Sequence, residues 1–157
     1  MAKETKGPRK TKLTPASARL AKRSAGGLTK AGRAIAVVGI GRVGLPLALF
    51  LADKGYTVYG LDVDGEKVNA ISKKQLPFME EGAQELLSKY TNKTFFATTD
   101  FSNIAKAKTI ILTLGTPVDE NMNPSLVQID KALETSRPYF KKGQLLILRS
   151  TVSPGTS

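Results

Sequence analysis

The sequence predicts an α/β fold, a doubly wound parallel sheet with helices on its faces. Three observations carry this expectation. Apolar and β-branched runs at 34–38, 56–61, 94–98, 109–114 and 144–149 alternate with helix-patterned stretches. The first run breaks into glycines at Gly39, Gly41 and Gly44 and then continues as an apolar helix-like segment. The run Thr-Ile-Ile-Leu-Thr-Leu at 109–114 is almost continuously apolar, as a strand buried on both faces requires.

Taken in order, the first strand leads through the glycines into a helix at about 43–54 and then a second strand ending at Leu61. Residues 65–93 are too many for one tight crossover and read as two helices. Val68 and Ile71 mark the apolar face of the first, Leu86 and Leu87 belong to the second, and Leu76 and Pro77 mark the break. A short aromatic strand at 94–98 precedes a helical turn at 101–107 and the fourth strand. A polar loop with two prolines, 115–124, then leads into a helix at about 126–139 that is expected to turn Val127, Ile129, Ala132 and Leu133 toward the core. Gly143 ends that connection before the fifth strand. Strands alternating with helices imply right-handed crossovers, and ligands then sit outside the carboxyl ends of the strands. A sixth strand of the usual order 3-2-1-4-5-6 is not accounted for, so the sheet is expected to be truncated at its C-terminal edge, with a helix beginning near Pro154.

The glycine spacing has a chemical reason. Gly39 lets the chain turn tightly, Gly41 leaves no Cβ between backbone and a phosphate, and Gly44 lets helix and strand pack closely. The helix start offers unpaired N–H groups and a positive dipole end to an anion, here a dinucleotide pyrophosphate. A bare glycine triplet also fits an ordinary strand-to-helix turn, but Asp62 follows Gly39 by 23 positions and closes the second strand, where a carboxylate accepts from ribose hydroxyls. The competing role for Asp62 is to cap the helix starting near Gly65. A carboxylate repels a 2′-phosphate and accepts from a free 2′-hydroxyl, which favours NAD over NADP. Lys67, one helical turn on, reaches toward a phosphate and softens that preference, although no arginine follows Asp62 directly. Three loops fall at the same sheet edge, the residues after Asp62, Gly115-Thr116-Pro117 and Ser150-Thr151, whose hydroxyls and N–H groups suit ribose, phosphate and the nicotinamide amide.

Composition limits the chemistry. The 157 residues contain no cysteine and no histidine, which excludes disulfides, thiolate or imidazole metal ligands and the commonest acid–base side chain. No apolar run approaches the roughly 20 residues of a membrane span, so a soluble protein is expected. The net charge of +11 is uneven: residues 1–33 carry +9 and residues 34–157 only +2. Residues 1–33, rich in Lys, Ala, Gly, Ser and Thr and without aromatics, are read as a disordered basic tail. Its alternatives are an acid-poor transit peptide and an arm for nucleic acid or another polyanion. Residues 34–157 form the dinucleotide-binding domain.

Four ordered motifs together resemble the N-terminal domain of the UDP-glucose/UDP-N-acetylmannosamine dehydrogenase family. They are Gly-Ile-Gly-Arg-Val-Gly-Leu-Pro-Leu-Ala at 39–48, Asp62 with Lys67, Gly-Thr-Pro-Val-Asp-Glu at 115–120 with Asn123 and Pro124, and Ser-Thr-Val-Ser-Pro-Gly-Thr at 150–156. The resemblance implies a Rossmann-like domain of a cytoplasmic enzyme of polysaccharide biosynthesis. Such an enzyme oxidises the C6 alcohol of a UDP-sugar to the uronic acid, reduces two NAD and works as a homodimer. The wording at 115–120 is closer to the N-acetylhexosamine branch than to the glucose branch. In the family the positions matching Gly39, Gly41, Gly44, Asp62, Lys67, Thr116 and Thr151 contact NAD. With the intervening Ile40, Arg42 and Val43 and the turn residues Gly115, Pro117 and Ser150, they make the candidate cofactor set.

The family's catalytic glutamate, lysine, asparagine and cysteine nucleophile, and its dimerising helix, have no counterpart in these 157 residues. The expectation is therefore a fragment that binds NAD weakly and turns over nothing, with neither a catalytic residue nor a metal site of its own. Two other readings stay open. One is a non-catalytic NAD-binding or sensing module; the other is a two-domain dehydrogenase of the 6-phosphogluconate or hydroxyacyl-CoA type, which shares the opening strand–helix–strand unit but requires neither later motif.

Overall fold

A computed structural model describes residues 33–78, 80–115 and 127–150. The basic tail, the two-proline loop beyond Gly115 and the turn beyond Ser150 lie outside the described residues, and with them Thr116, Pro117 and Thr151. Five strands, β1 (Ala34–Val38), β2 (Thr57–Leu61), β3 (Phe95–Thr98), β4 (Thr109–Leu112) and β5 (Leu145–Leu148), form one parallel sheet of order β3-β2-β1-β4-β5. Helices α1 (Gly44–Asp53), α2 (Gly65–Ser72), α3 (Ala83–Tyr90) and α4 (Val127–Ser136) connect them, with a 3-10 segment at Phe101–Lys106. The α/β, doubly wound expectation holds. Successive strands step outward from β1 to β3 and then resume on its other side at β4, so the order reverses between β1 and β4. That reversal opens a crevice at the carboxyl ends of these two strands.

Alternation along β1 explains the two cores. Ile35 and Val37 face one side, where Leu45 and Leu49 of α1, Leu87 of α3 and Phe95 are fully buried. Ala36 and Val38 face the other, against Leu61, Ile104, Leu112 and Ala132. Each fully buried large apolar side chain contributes about 2 kcal/mol, so the sheet centre is held from both faces. Val68 and Ile71 are buried on α2 and Leu87 on α3, as the apolar periodicity predicts, with Leu86 partly covered. Tyr90 donates its hydroxyl to Asp53 Oδ1 at 2.7 Å, tying α3 to α1 and holding the Asp53 carboxyl below the usual carboxylate range.

Three expectations need correction. Val127 does not reach the core but is 70% exposed. At about 100° per residue it lies about 160° around the helix from Ile129, while Ile129, Ala132 and Ser136 share the buried face. The helix ends at Ser136 rather than Tyr139 and continues as a 3-10 turn over Arg137–Tyr139. Pro138 has no N–H to continue the α-helical ladder and disfavours the helical conformation of the residue before it. The fourth strand stops at Leu112, where β1 also ends in the register Val38↔Leu112. Thr113 and Leu114 therefore belong to the turn. Of the two edge strands, β3 buries Phe95, whereas β5 leaves Leu145, Leu146 and Ile147 exposed.

Candidate functional site

The carboxyl ends of β1, β2 and β4 enclose a cleft of about 420 Å³, within the usual size of small-molecule sites. Its floor is the turn after β1. Gly39 has φ +91°, a left-handed conformation that a side chain rarely adopts, and its N–H donates to Leu61 O at 2.7 Å. Gly41 borders the cleft, and a Cβ placed on it would meet nothing within 4 Å, so the bare backbone faces open space. A Cβ on Gly44, by contrast, would overlap the Gly39 carbonyl oxygen and come within 2.5 Å of Thr113 Oγ1. The helix and strand are in the close contact that the glycine spacing predicts.

The start of α1, like that of α3 at Gly82, lacks the side-chain cap that other segments carry. Asp64 caps α2 by accepting from Lys67 N at 3.0 Å, and Asp100 caps the 3-10 segment by accepting from Ser102 N at 2.9 Å. Val43 at the start of α1 supplies no side-chain cap, and the first turn contains no acidic residue. The positive end of the dipole is thus left without an internal counter-charge.

Asp62 forms the adjoining wall. It is 8% exposed, and its carboxylate accepts from Ile40 N (3.1 Å) and Lys67 Nζ (3.0 Å) on Oδ2 and from Asp64 N (3.1 Å) on Oδ1. The capping alternative for Asp62 is overturned, because Asp64 occupies that position. The Lys67 backbone N–H on Asp64 is also the main cause that lowers the Asp64 carboxyl below its ordinary value. Lys67 bridges both acids, lying 3.6 Å from Asp64 Oδ2.

The candidate residues divide. Gly39, Gly41, Asp62, Lys67 and Gly115 line the cleft together. Ile40 turns its side chain into the core and serves the site only through the N–H on Asp62. Arg42 and Val43 are exposed beyond the cleft, and Gly44 lies behind its floor. Ser150 is half-buried and donates its hydroxyl to Leu114 O at 2.8 Å, which ties the ends of β4 and β5 together. Beside Asp62 lies Val63, in the loop the sequence places at this edge; sequence reasoning missed the opposite wall, where Phe101, Leu114 and Ala132 give an apolar surface and Gln128 and Lys131 a polar rim. The only sequence signal was the i, i+3, i+4 placement of Gln128, Lys131 and Ala132 on α4. Among the described residues no three acidic, histidine or cysteine side chains gather to hold a metal, and no helix is long and apolar enough to cross a membrane.

Comparison with known proteins agrees with this geometry. A family model described as the UDP-glucose/GDP-mannose dehydrogenase family, NAD binding domain, matches residues 33–157. The UDP-N-acetyl-D-glucosamine 6-dehydrogenase of Pseudomonas aeruginosa is 36% identical over 123 residues, covering 78% of this chain and 28% of that protein. The UDP-N-acetyl-D-mannosamine dehydrogenase of Methanocaldococcus jannaschii is 31% identical over 129 residues, covering 80% and 30%. A solved ternary complex of GDP-mannose dehydrogenase from Pseudomonas aeruginosa superposes with a TM-score of 0.74 at 28% identity, over 78% of this chain and 29% of that one. The chain thus spans less than a third of the length of these relatives. Because the match begins one residue before β1 and takes in every described element, the chain belongs to the UDP-glucose/GDP-mannose dehydrogenase family of oxidoreductases, as its Rossmann-like NAD-binding domain.

Proposed function

We propose that these residues hold the NAD of a nucleotide-sugar 6-dehydrogenase that oxidises a UDP-N-acetylhexosamine or UDP-glucose to the uronic acid, reducing two NAD per sugar. The observation that carries the reading is the placement of the buried Asp62 carboxylate in one cleft with the bare Gly39–Gly41 turn. The backbone at Gly41 and the uncapped start of α1, through Arg42, Val43 and Gly44, take the diphosphate. Asp62 takes a ribose hydroxyl of the adenosine half, and Lys67 keeps that carboxylate in place. Val63, Phe101, Leu114 and Ala132 suit the flat base beside it. The turns at Gly115, Thr116 and Pro117 and at Ser150 and Thr151 are assigned to the nicotinamide half. NAD supplies a hydride acceptor when bound.

An aldehyde intermediate gives up a second hydride only from a tetrahedral adduct, which the resemblance assigns to a cysteine thiol, and these 157 residues contain no cysteine. We therefore assign them cofactor binding without turnover, and the sugar, the catalytic thiol and a homodimeric assembly to the whole protein. The relatives' names, which include UDP-N-acetyl-D-mannosamine, UDP-N-acetyl-D-glucosamine and UDP-glucose dehydrogenases, support a UDP-sugar, and only the wording at 115–120 favours the N-acetylhexosamine branch.

Titration with both cofactors tests the reading. NAD is expected to bind at least about tenfold more tightly than NADP, because the 2′-phosphate would meet Asp62 and Asp64 with only Lys67 between them. Equal affinities, or no binding of NAD, would refute the assignment. Mixing NAD with each UDP-sugar is expected to yield NADH with the whole gene product and none with these residues alone; a whole product inert toward every UDP-hexose and UDP-N-acetylhexosamine would refute the substrate class.

A further inference from the structure

Thr113 stands where the strand order reverses, directly after β4, and borders the cleft while being 8% exposed. Its backbone N–H donates to Val38 O at 2.9 Å, which ends the ladder between β1 and β4. Its hydroxyl lies 2.7 Å from Gly39 O and 3.1 Å from Val38 O. A threonine hydroxyl has one proton to give. Val38 O already receives the Thr113 N–H, whereas among the described residues Gly39 O receives no backbone N–H. The proton therefore belongs on Gly39 O.

The carbonyl of Gly39 and the N–H of Ile40 are two ends of a single peptide plane. The N–H end is held by Asp62 Oδ2 at 3.1 Å and the carbonyl end by Thr113 at 2.7 Å. Glycine at φ +91° has no side chain to resist rotation of this plane, so its orientation depends on what grips its ends. A rotated plane would swing the carbonyl dipole away from β4 and shift the Gly41 backbone that faces the cleft.

We propose that Thr113 is a positioning residue for the diphosphate: its hydroxyl, paired with the Asp62 carboxylate across one peptide plane, locks the Gly39–Ile40 unit so that the following backbone stays aimed at the anion. The proposal rests on the cofactor reading above and adds a residue that the glycine spacing does not reveal.

The test compares Thr113→Val, which keeps the shape and removes the donor, with Thr113→Ser, which keeps the donor. In the chain as it stands, T113V is expected to bind NAD and ADP-ribose about tenfold more weakly than the parent, and adenosine, which lacks the diphosphate, equally well. T113S is expected to stay within about twofold. Without ligand, T113V should shift the amide resonances of Ile40 and Gly41, and T113S should leave them near the parent values. Thr113→Ala removes the hydroxyl without adding bulk and is read in the same way should T113V not fold. Parent-like NAD binding by T113V, an equal loss of NAD and adenosine, a serine variant as weak as valine, or unmoved Ile40 and Gly41 resonances would each overturn the positioning role. If the parent binds neither NAD nor ADP-ribose, the cofactor reading fails instead, while the resonances still decide whether the peptide plane is held.

Discussion

Replacing Gly44 by alanine is expected to cost about 3 kcal/mol of folding stability and to abolish NAD binding. The added methyl would overlap the Gly39 carbonyl oxygen, a backbone atom, and crowd the Thr113 Oγ1 hydrogen-bonded to it, so relief needs a shift of backbone rather than the turn of a flexible side chain. Against a total of roughly 5–15 kcal/mol for an ordinary domain, a loss of that size is plain in a urea titration as a lower midpoint at unchanged slope. Gly41→Ala separates folding from binding. Its Cβ points into open space, so stability is expected to hold within about 0.5 kcal/mol, while the methyl occupies the approach to the backbone and weakens NAD by tenfold or more. A Gly44→Ala variant as stable as the parent would contradict the packing, and a Gly41→Ala variant that binds normally would contradict the anion site.

The second large effect is expected at Asp62. Truncation to alanine removes the acceptor of the Ile40 N–H, the Asp64 N–H and Lys67 Nζ; Lys67 keeps Asp64, while the buried Ile40 N–H loses its partner. The expected loss of stability is about 2 kcal/mol. A carboxylate has about four acceptor positions, and three are filled by Ile40, Lys67 and Asp64, leaving capacity for one further donor on the Oδ1 side. A single ribose hydroxyl fits that capacity. NAD affinity is expected to fall at least tenfold in Asp62→Ala, a charged hydrogen bond being worth about 1.5–3 kcal/mol. The preference over NADP is expected to shrink with it. Isothermal titration of the parent and Asp62→Ala with both cofactors measures this, and an unchanged Kd for NAD would remove Asp62 from the site.

What the sequence disclosed follows from how local each signal is. The turn from β1 into α1 is encoded by three glycines within six residues, each answering a backbone constraint of its own, and Asp62 announces itself by closing an apolar strand. The division of 65–93 into two helices and the double burial of β4 were legible because periodicity reports burial directly. The apolar wall was not legible, since Phe101 and Ala132 meet Leu61 only through the parallel crossovers, and nothing local in them announces a ligand. Thr113 was hidden for a related reason. Its partner Gly39 is 74 residues away, and the sequence pattern made it one more residue of a strand. Val127 misled because apolar character was counted without placing it on the helix circumference.

The exposed outer strand has a kinetic consequence. Amides of β1 and β2 lie beneath packing on both faces, while among the described residues β5 is paired on one border only and leaves Leu145, Leu146 and Ile147 open to water. The free energy of local opening should therefore fall steadily from the middle of the sheet toward β5, and deuterium uptake is expected to be quickest there and slowest in β1 and β2; uniform uptake would contradict this gradient. The floor of the cleft then belongs to the part that seldom opens, so a ligand settles onto a base whose shape is kept between visits.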